Sequence, residues 1–282
     1  MAVMKNADEA TVRGFGEEWT HFDQSELPAE ERHRQFELYF SVFPWTQIQP
    51  DAVGFDMGCG SGRWAQEVAP SVGRLHCIDG SRAALNVART NLKGVANCEF
   101  HEATFGSIPL SDGSMDFGYS LGVLHHVPDT EAALAECVGK LKVGAPFLVY
   151  LYYDLEDRPG WFRLIWRMCD AGRQVISRLP FRPRVIVTTA IAVLVYWPLA
   201  RISALAKRAG LSVSRIPLSS YRDKTFYWMR TDAFDRFGTR LEKRYSRQEV
   251  IQLMEFAGLE RIHVSDDEPY WCAVGSRKGA SV

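Results

Sequence analysis

A chain of 282 residues, 46% hydrophobic and 24% charged, holds enough apolar material for a sizeable core in one large domain or two small ones. Its 33 basic and 34 acidic side chains nearly cancel, to a net charge of -1, which excludes attraction of the whole molecule to nucleic acid and makes every charge argument local. Six scattered cysteines without a C-x-x-C pair argue for free thiols in the cytoplasm rather than a disulfide frame or zinc site, and the acid-bearing N-terminal stretch predicts no secretory signal.

Residues 1–52 carry two aromatic segments at helical spacing. The first has Phe15, Trp19 and Phe22 beside Gly14 and Gly16; the second has Phe36, Tyr39, Phe40 and Phe43, with a stop at Pro44. Either these helices simply pack on a core, or the first closes over a pocket. The stretch VGFDMGCGSGRWA, from Val53 to Ala65, follows. Its apolar run (Val53, Phe55, Met57) leads into Gly58, Gly60 and Gly62, and Arg63 to Ala69 is compatible with helix. A strand, a tight glycine turn and a helix start bring backbone up to a ligand. The spacing is G-x-G-x-G with Asp56 two residues ahead, not the G-x-G-x-x-G of dinucleotide sites.

Leu75 to Ile78 reads as the next strand and ends at Asp79, with Gly80 and Ser81 after it. An acid about 20 residues beyond the glycine turn, at a strand end, is placed to accept both hydroxyls of a ribose. Nothing here supplies a pyrophosphate grip, so the pair makes a nucleoside site. A helix from Arg82 to Leu92 comes next, then a strand from Cys98 to His101 that ends in Glu102, Ala103 and Thr104. Ser114 to Ser120 is a fourth strand, running into LGVLHHVPD, residues 121–129. A helix from Glu131 to Leu141 and a strand from Phe147 to Tyr152 complete an alternation that predicts a doubly wound, mostly parallel α/β sheet. His125 and His126 adjoin a strand end, where such sheets bind ligands, as a base or as a helix-start hydrogen bonder. The strand end 151–154 is expected to face the substrate.

Residues 155–245 form a helical insert. Trp161, Leu164, Ile165, Met168 and Val175 share one helical face, while Arg163, Arg167 and Arg178 fall on another. The apolar run Val185 to Ala200 is about 16 residues, short of a bilayer span, and is expected as a buried helix. From Arg158 to Arg208 there are ten basic residues and one acid, Asp170, a local charge of about +9. That charge suits an anionic membrane surface, a pocket for a phosphorylated or carboxylated substrate, or a solvated face. After it, Ser246-x-x-Glu249 is a capping box opening a helix that stops at Gly258, and two strands close the chain.

DMGCGSG with Asp79 at the next strand end resembles the first motifs of the class I methyltransferases that use S-adenosylmethionine. The resemblance covers residues 53–154 and 246–276. It implies a seven-stranded Rossmann-like sheet with an N-terminal helical cover (1–52), a cofactor-binding core (53–154), the insert (155–245) and a return to the core (246–282). It places S-adenosylmethionine, and its product S-adenosylhomocysteine, against Trp19, Asp56, Gly58, Cys59 and Gly60, with the ribose on Asp79 beside Gly80 and Ser81. Glu102, where the family more often has Asp, would receive the adenine amino group. The Ala103 N–H would meet the ring, with Thr104 beside it and an apolar face from Phe105 or Ile108. Leu121 and Gly122 would lie by the methionine part. LGVLHHVPD closely matches a subgroup acting mostly on small molecules. The implied activity is methyl transfer to an O, N or C atom of a small substrate, anionic or lipid-linked among the options. His125, His126, Tyr153 and Tyr221 are the candidate proton acceptors, and no metal set is visible. A nicotinamide-dependent oxidoreductase and a cofactor-binding regulator without catalysis are the alternatives. A cytoplasmic protein follows, with peripheral contact at the inner membrane face as a variant.

Overall fold

The computed structural model describes residues 6–156, 159–213 and 216–279. Two helices, α1 (Glu9–His21) and α2 (Ala29–Tyr39), precede β1 (Val53–Met57). Then come α3 (Ala65–Val68), β2 (Arg74–Asp79), α4 (Arg82–Asn91), β3 (Cys98–Glu102), β4 (Phe117–Leu121), α5 (Thr130–Lys140) and β5 (Pro146–Tyr150). A helical stretch follows: α6 (Gly160–Ile176), α7 (Phe181–Ile191), α8 (Trp197–Arg208) and α9 (Phe226–Gly238). The chain closes with α10 (Arg247–Phe256), β6 (Leu259–Val264) and β7 (Cys272–Arg277).

The strands form one seven-stranded sheet in the order β3-β2-β1-β4-β5-β7-β6. β1 to β5 are parallel, and β7 runs antiparallel to both β5 and β6. The order reverses between β1 and β4, which opens a crevice at the carboxyl ends of those strands. Central strands need apolar residues on both faces, and all of β4 is buried. β1 and β4 approach closely because each offers the other a glycine. A Cβ on Gly54 would sit 2.2 Å from the Phe117 ring, and one on Gly118 would sit 2.3 Å from Phe55. Helix starts are fixed by side chains: Ser81 caps α4, Asp129 caps α5, and Ser246 with Glu249 forms the expected box on α10.

The chain divides into two compact units. The first contains residues 1–25, 32–157 and 241–282, hence the sheet; the second contains 26–31 and 158–240. Residues 241–245 therefore go with the sheet rather than with the insert. Tyr245 N–H donates to Tyr152 O at 2.8 Å, and Asp154 N–H donates to Tyr245 O at 3.0 Å.

In the second unit, α7, a π turn at Ala192–Tyr196 and α8 make one continuous helix of 28 residues. This corrects the buried 16-residue helix expected over 185–200. Pro183 falls in the first turn, where its missing N–H breaks nothing, and the π turn just before Pro198 absorbs the second break. The buried stripe of this helix is Arg184, Thr188, Ala192, Tyr196, Ala200 and Ser203. Its large apolar side chains face outward: Ile186 is 69% exposed and Leu194 is 73% exposed. α6 is turned the same way, with Arg173 and Ser177 buried and Met168 exposed.

Candidate active site

The glycine turn after β1 spends its amides inward. Gly58 and Cys59 N–H donate to Ile78 O at 2.7 and 3.0 Å, and Gly60 N–H donates to Asp79 Oδ2 at 2.9 Å. Gly58, Gly60 and Gly62 all have positive φ, which a side chain would strain. A pyrophosphate site needs these N–H groups aimed at the ligand. Here they hold strand β2 instead, which argues against the dinucleotide alternative on geometry as well as on spacing.

Asp79 is fixed from both sides, since its other oxygen accepts Ser81 N–H at 2.8 Å. Burial pushes its carboxyl upward in pKa, and these two amides work against that. Asp56 is buried, and burial raises its pKa well above the carboxylate range; the nearby Tyr119 hydroxyl opposes this and the Asp79 charge adds to it. Asp56 Oδ2 and Thr104 Oγ1 are buried without a hydrogen-bond partner among the described residues. Cys59 is buried in the turn itself. A hydrogen bond with Cys77 lowers its pKa, but burial and the charges of Asp79 and Asp56 carry it up to about 11. A carboxylate with fixed orientation and two orphaned buried oxygens fit a ligand that brings ribose hydroxyls and polar groups, as S-adenosylmethionine does.

At the adenine end the geometry departs from the expectation drawn from the resemblance. Ala103 N–H donates to Asp79 O at 3.1 Å in continuation of the β2–β3 ladder, so it is already used. Glu102 lies at the exposed end of β3 and accepts Arg82 Nε–H at 2.7 Å. Phe105 and Ile108 belong to the hydrophobic core.

Helix α1 lies across the carboxyl ends of the strands. A Cβ on Gly16 would come within 2.4 Å of Ser81 Oγ, and one on Gly60 within 2.8 Å of Trp19 Nε1. Gly80 lies between Thr104 and Val12. The Phe15 ring sits 5.1 Å from that of His126. Asn6 anchors the front of the segment: its Nδ2 donates to Asp129 O, its Oδ1 accepts Asp129 N–H at 2.9 Å, and its own N–H donates to Phe105 O. The helix marked by this aromatic spacing thus packs against the glycine turn, Ser81 and His126.

Beyond β4, Leu121 is buried and Gly122 turns with φ +79°. The 3₁₀ turn Leu124–His126 then buries both histidines. His125 lies against Tyr152, with centroids 3.9 Å apart, and against His126 at 4.0 Å. Burial, then the His126 and Arg244 charges, hold His125 well below the usual imidazole range, so it is neutral at pH 7. His126 Nδ1 is 2.6 Å from Leu241 O. A chain of ring contacts continues through Tyr150 to Tyr39 and Trp64. Arg63 lies over both Trp64 and Trp19. Phe15 and Trp19 are one turn apart on α1, so the rings come from five separate segments: α1, α2, the turn after β1, the 124–126 turn and the end of β5.

Tyr153 is not part of this chain of rings. Side chains alternate along an extended segment, so Tyr150 and Tyr152 share one side while Tyr153 packs on Tyr270 and Trp271. Tyr221 belongs to the second unit, where its hydroxyl donates to Asp232 Oδ2 at 2.7 Å and burial pushes its pKa well up. The structure brings together His125, His126 and Tyr152; Tyr39 is marked in the sequence only as part of an aromatic helical face, and Tyr150 only as part of a strand.

Among the described residues, one set of donors could hold a metal ion. His76, Glu99 and His101 place donor atoms within 4.8 Å of one another, with His76 Nδ1 and His101 Nε2 3.0 Å apart. His76 precedes Asp79 by three residues on β2. This set is therefore set back about 10 Å from the carboxyl edge and is not aimed at a reacting group.

Residues 55–149 match a family described as a methyltransferase domain. An uncharacterized 37.1 kDa protein in transposon TN4556 of Streptomyces fradiae is 35% identical over 162 residues, 51% of this chain and 46% of that protein. The uncharacterized methyltransferase YcgJ of Bacillus subtilis is 32% identical over 104 residues, 36% of this chain and 41% of that one. The chain spans less than half the length of either of these two curated relatives. Among solved structures, an O-methyltransferase family protein from Burkholderia thailandensis has a TM-score of 0.52 at 12% identity, covering 88% of this chain and 57% of that one, a likeness of fold alone. The sheet order, the glycine turn and the acid that ends β2 thus lie in and around a stretch, residues 55–149, that matches a methyltransferase domain, on a seven-stranded, mostly parallel Rossmann-like sheet.

Proposed function

We propose that the protein methylates a hydroxyl oxygen or an acidic carbon of a small, largely apolar molecule, and that His126 accepts the proton the acceptor loses. S-adenosylmethionine supplies a methyl group already made electrophilic by its sulfonium. The chain's own tasks are then to align a nucleophile, exclude water and take a proton.

The observation that carries this reading is the state of His126. A carbonyl oxygen can only accept, so the 2.6 Å contact with Leu241 O puts the hydrogen on Nδ1 and leaves the lone pair on Nε2. Nε2 is buried and has no hydrogen-bond partner among the described residues. Such an atom is costly unless a ligand completes it. Rings of Phe15, Tyr152, Tyr150 and Tyr39 supply apolar walls suited to a flat or hydrophobic acceptor. An amine needs only to arrive neutral, and it would give Nε2 no task.

Release of S-adenosylhomocysteine from panels of phenols, carbon acids and amines tests the assignment. Turnover is expected with the first two classes. His126→Ala should lower it about 10²- to 10⁴-fold with cofactor affinity unchanged. Activity confined to amines, or full activity in His126→Ala, would overturn it.

A further inference from the structure

We propose that the second unit is a membrane-docking module, which lays the outer face of α6 and of the α7–α8 helix on an anionic lipid surface. A helix on the outside of a protein in water normally turns its apolar stripe inward. Here both helices do the opposite. On α6, Trp161, Leu164, Ile165, Met168 and Val175 recur at helical spacing and are exposed by 47% to 69%. On the 28-residue helix, Ile186, Leu194, Trp197, Ile202 and Leu205 are exposed by 49% to 73%. At 1.5 Å per residue that second stripe, from Ile186 to Leu205, is about 29 Å long. A continuous apolar surface of this size marks a contact site.

Charge identifies the occupant. The exposed cations on these elements are Arg163, Arg167, Arg178, Arg182, Lys207 and Arg208. The one acid between residues 160 and 208, Asp170, is held by buried Arg173 at 2.7 Å. Large apolar groups, a one-sign cationic border and half-exposed Trp161 and Trp197 are the composition of a helix lying in the headgroup layer of an anionic leaflet. A second copy of this chain would bring its own cations against these, and like charges would meet. Spanning the bilayer is also disfavoured by the packing. α9 lies along α6 and α7 and carries Arg230, Asp232, Asp235 and Arg236, which a spanning arrangement would drag into hydrocarbon. The inward stripe points the same way, since Arg184 donates to Gly238 O and Arg201 to Lys224 O.

Flotation of the full chain with vesicles tests this without any substrate. The protein should bind phosphatidylcholine vesicles containing phosphatidylglycerol, ignore pure phosphatidylcholine, and release in high salt. Met168→Ser with Leu194→Ser should weaken binding about tenfold or more, and Arg163→Glu with Arg167→Glu about thirtyfold or more. These side chains are exposed, so the Tm of both double variants should match that of the parent. Absence of binding to phosphatidylglycerol vesicles would overturn the proposal, as would binding that survives both double variants. Concentration-dependent self-association abolished by the same serine substitutions would assign the face to a second copy instead.

Discussion

In the first unit Phe55, Phe117 and Phe147 are fully buried, and the polar groups taken inside, Asp56 and His125 among them, gather near the carboxyl ends of the central strands. In the second unit the buried stripe of the long helix sets Arg184, Thr188 and Ser203 beside Ala192, Tyr196 and Ala200, while Ile186, Leu194 and Leu205 are among its exposed side chains. Both units are built from amphipathic elements, yet the apolar side faces in for one and out for the other. Amphipathic periodicity therefore identifies a face; what the face meets decides whether it is core or contact surface.

The largest expected effect comes from the same kind of truncation made in each unit. Phe147→Ala should cost about 3–5 kcal/mol in denaturant unfolding, because it empties a fully buried site. Leu194→Ala should change stability by no more than about 0.5 kcal/mol. A large cost at Leu194 would mean that its face is covered in the free protein, and the contrast would collapse.

Asp79→Ala should weaken S-adenosylhomocysteine binding by about 2–3 kcal/mol in calorimetry, through loss of charge-assisted hydrogen bonds. Arg184→Met, an equally deliberate removal of charge in the second unit, should leave that affinity unchanged. Thr188→Leu should destabilise by about 1–3 kcal/mol, since Thr188 is fully buried in the inward stripe and leucine adds volume there. Tolerance of leucine there would mean the stripe is loosely packed and its polarity incidental.

The smallest effect is a pH slope. The folded pKa of Asp56 is raised, so between the unfolded value of about 3.9 and the folded value the native chain holds a proton that the unfolded chain has released. That contribution to stability is complete below the unfolded pKa and is lost as pH rises through the folded one. Thermal melts of the protein without cofactor should show Asp56→Asn removing this part of the slope and raising Tm at neutral pH. Identical profiles for the two proteins would place Asp56 in a more polar environment than its burial implies.

Much of the sheet and of the cofactor end was legible because its signals are local. A glycine turn two residues after an acid, an acid at the next strand end and a Ser-x-x-Glu box each act within a few residues of themselves, and β1, β2 and α10 lie where they indicate. Helix α1 was legible as aromatic spacing at Phe15 and Trp19, although its meeting with Gly60 and His126 is a matter of tertiary packing. The insert was misread in direction rather than in kind. Its apolar stripe was visible, but a helical period carries no information about which way the stripe faces. Its length was underread because the apolar run ends at Arg184 and Arg201, whereas the helix continues through both, from Phe181 to Arg208. Tyr152 rather than Tyr153 meets His125 because of a one-residue alternation at the end of a strand, which sets the side but is blurred wherever strand ends are uncertain.

Cys59 carries a further consequence for selectivity. A sulfur nucleophile in the glycine turn would compete with the substrate for an electrophilic methyl group, and the protein would alkylate itself. With its pKa at about 11, only about one Cys59 in 10⁴ is thiolate at pH 7. Burial behind the turn thus acts as chemical insulation. It lets a polarizable side chain fill the turn without offering a thiolate that would compete with the acceptor of the proposed reaction.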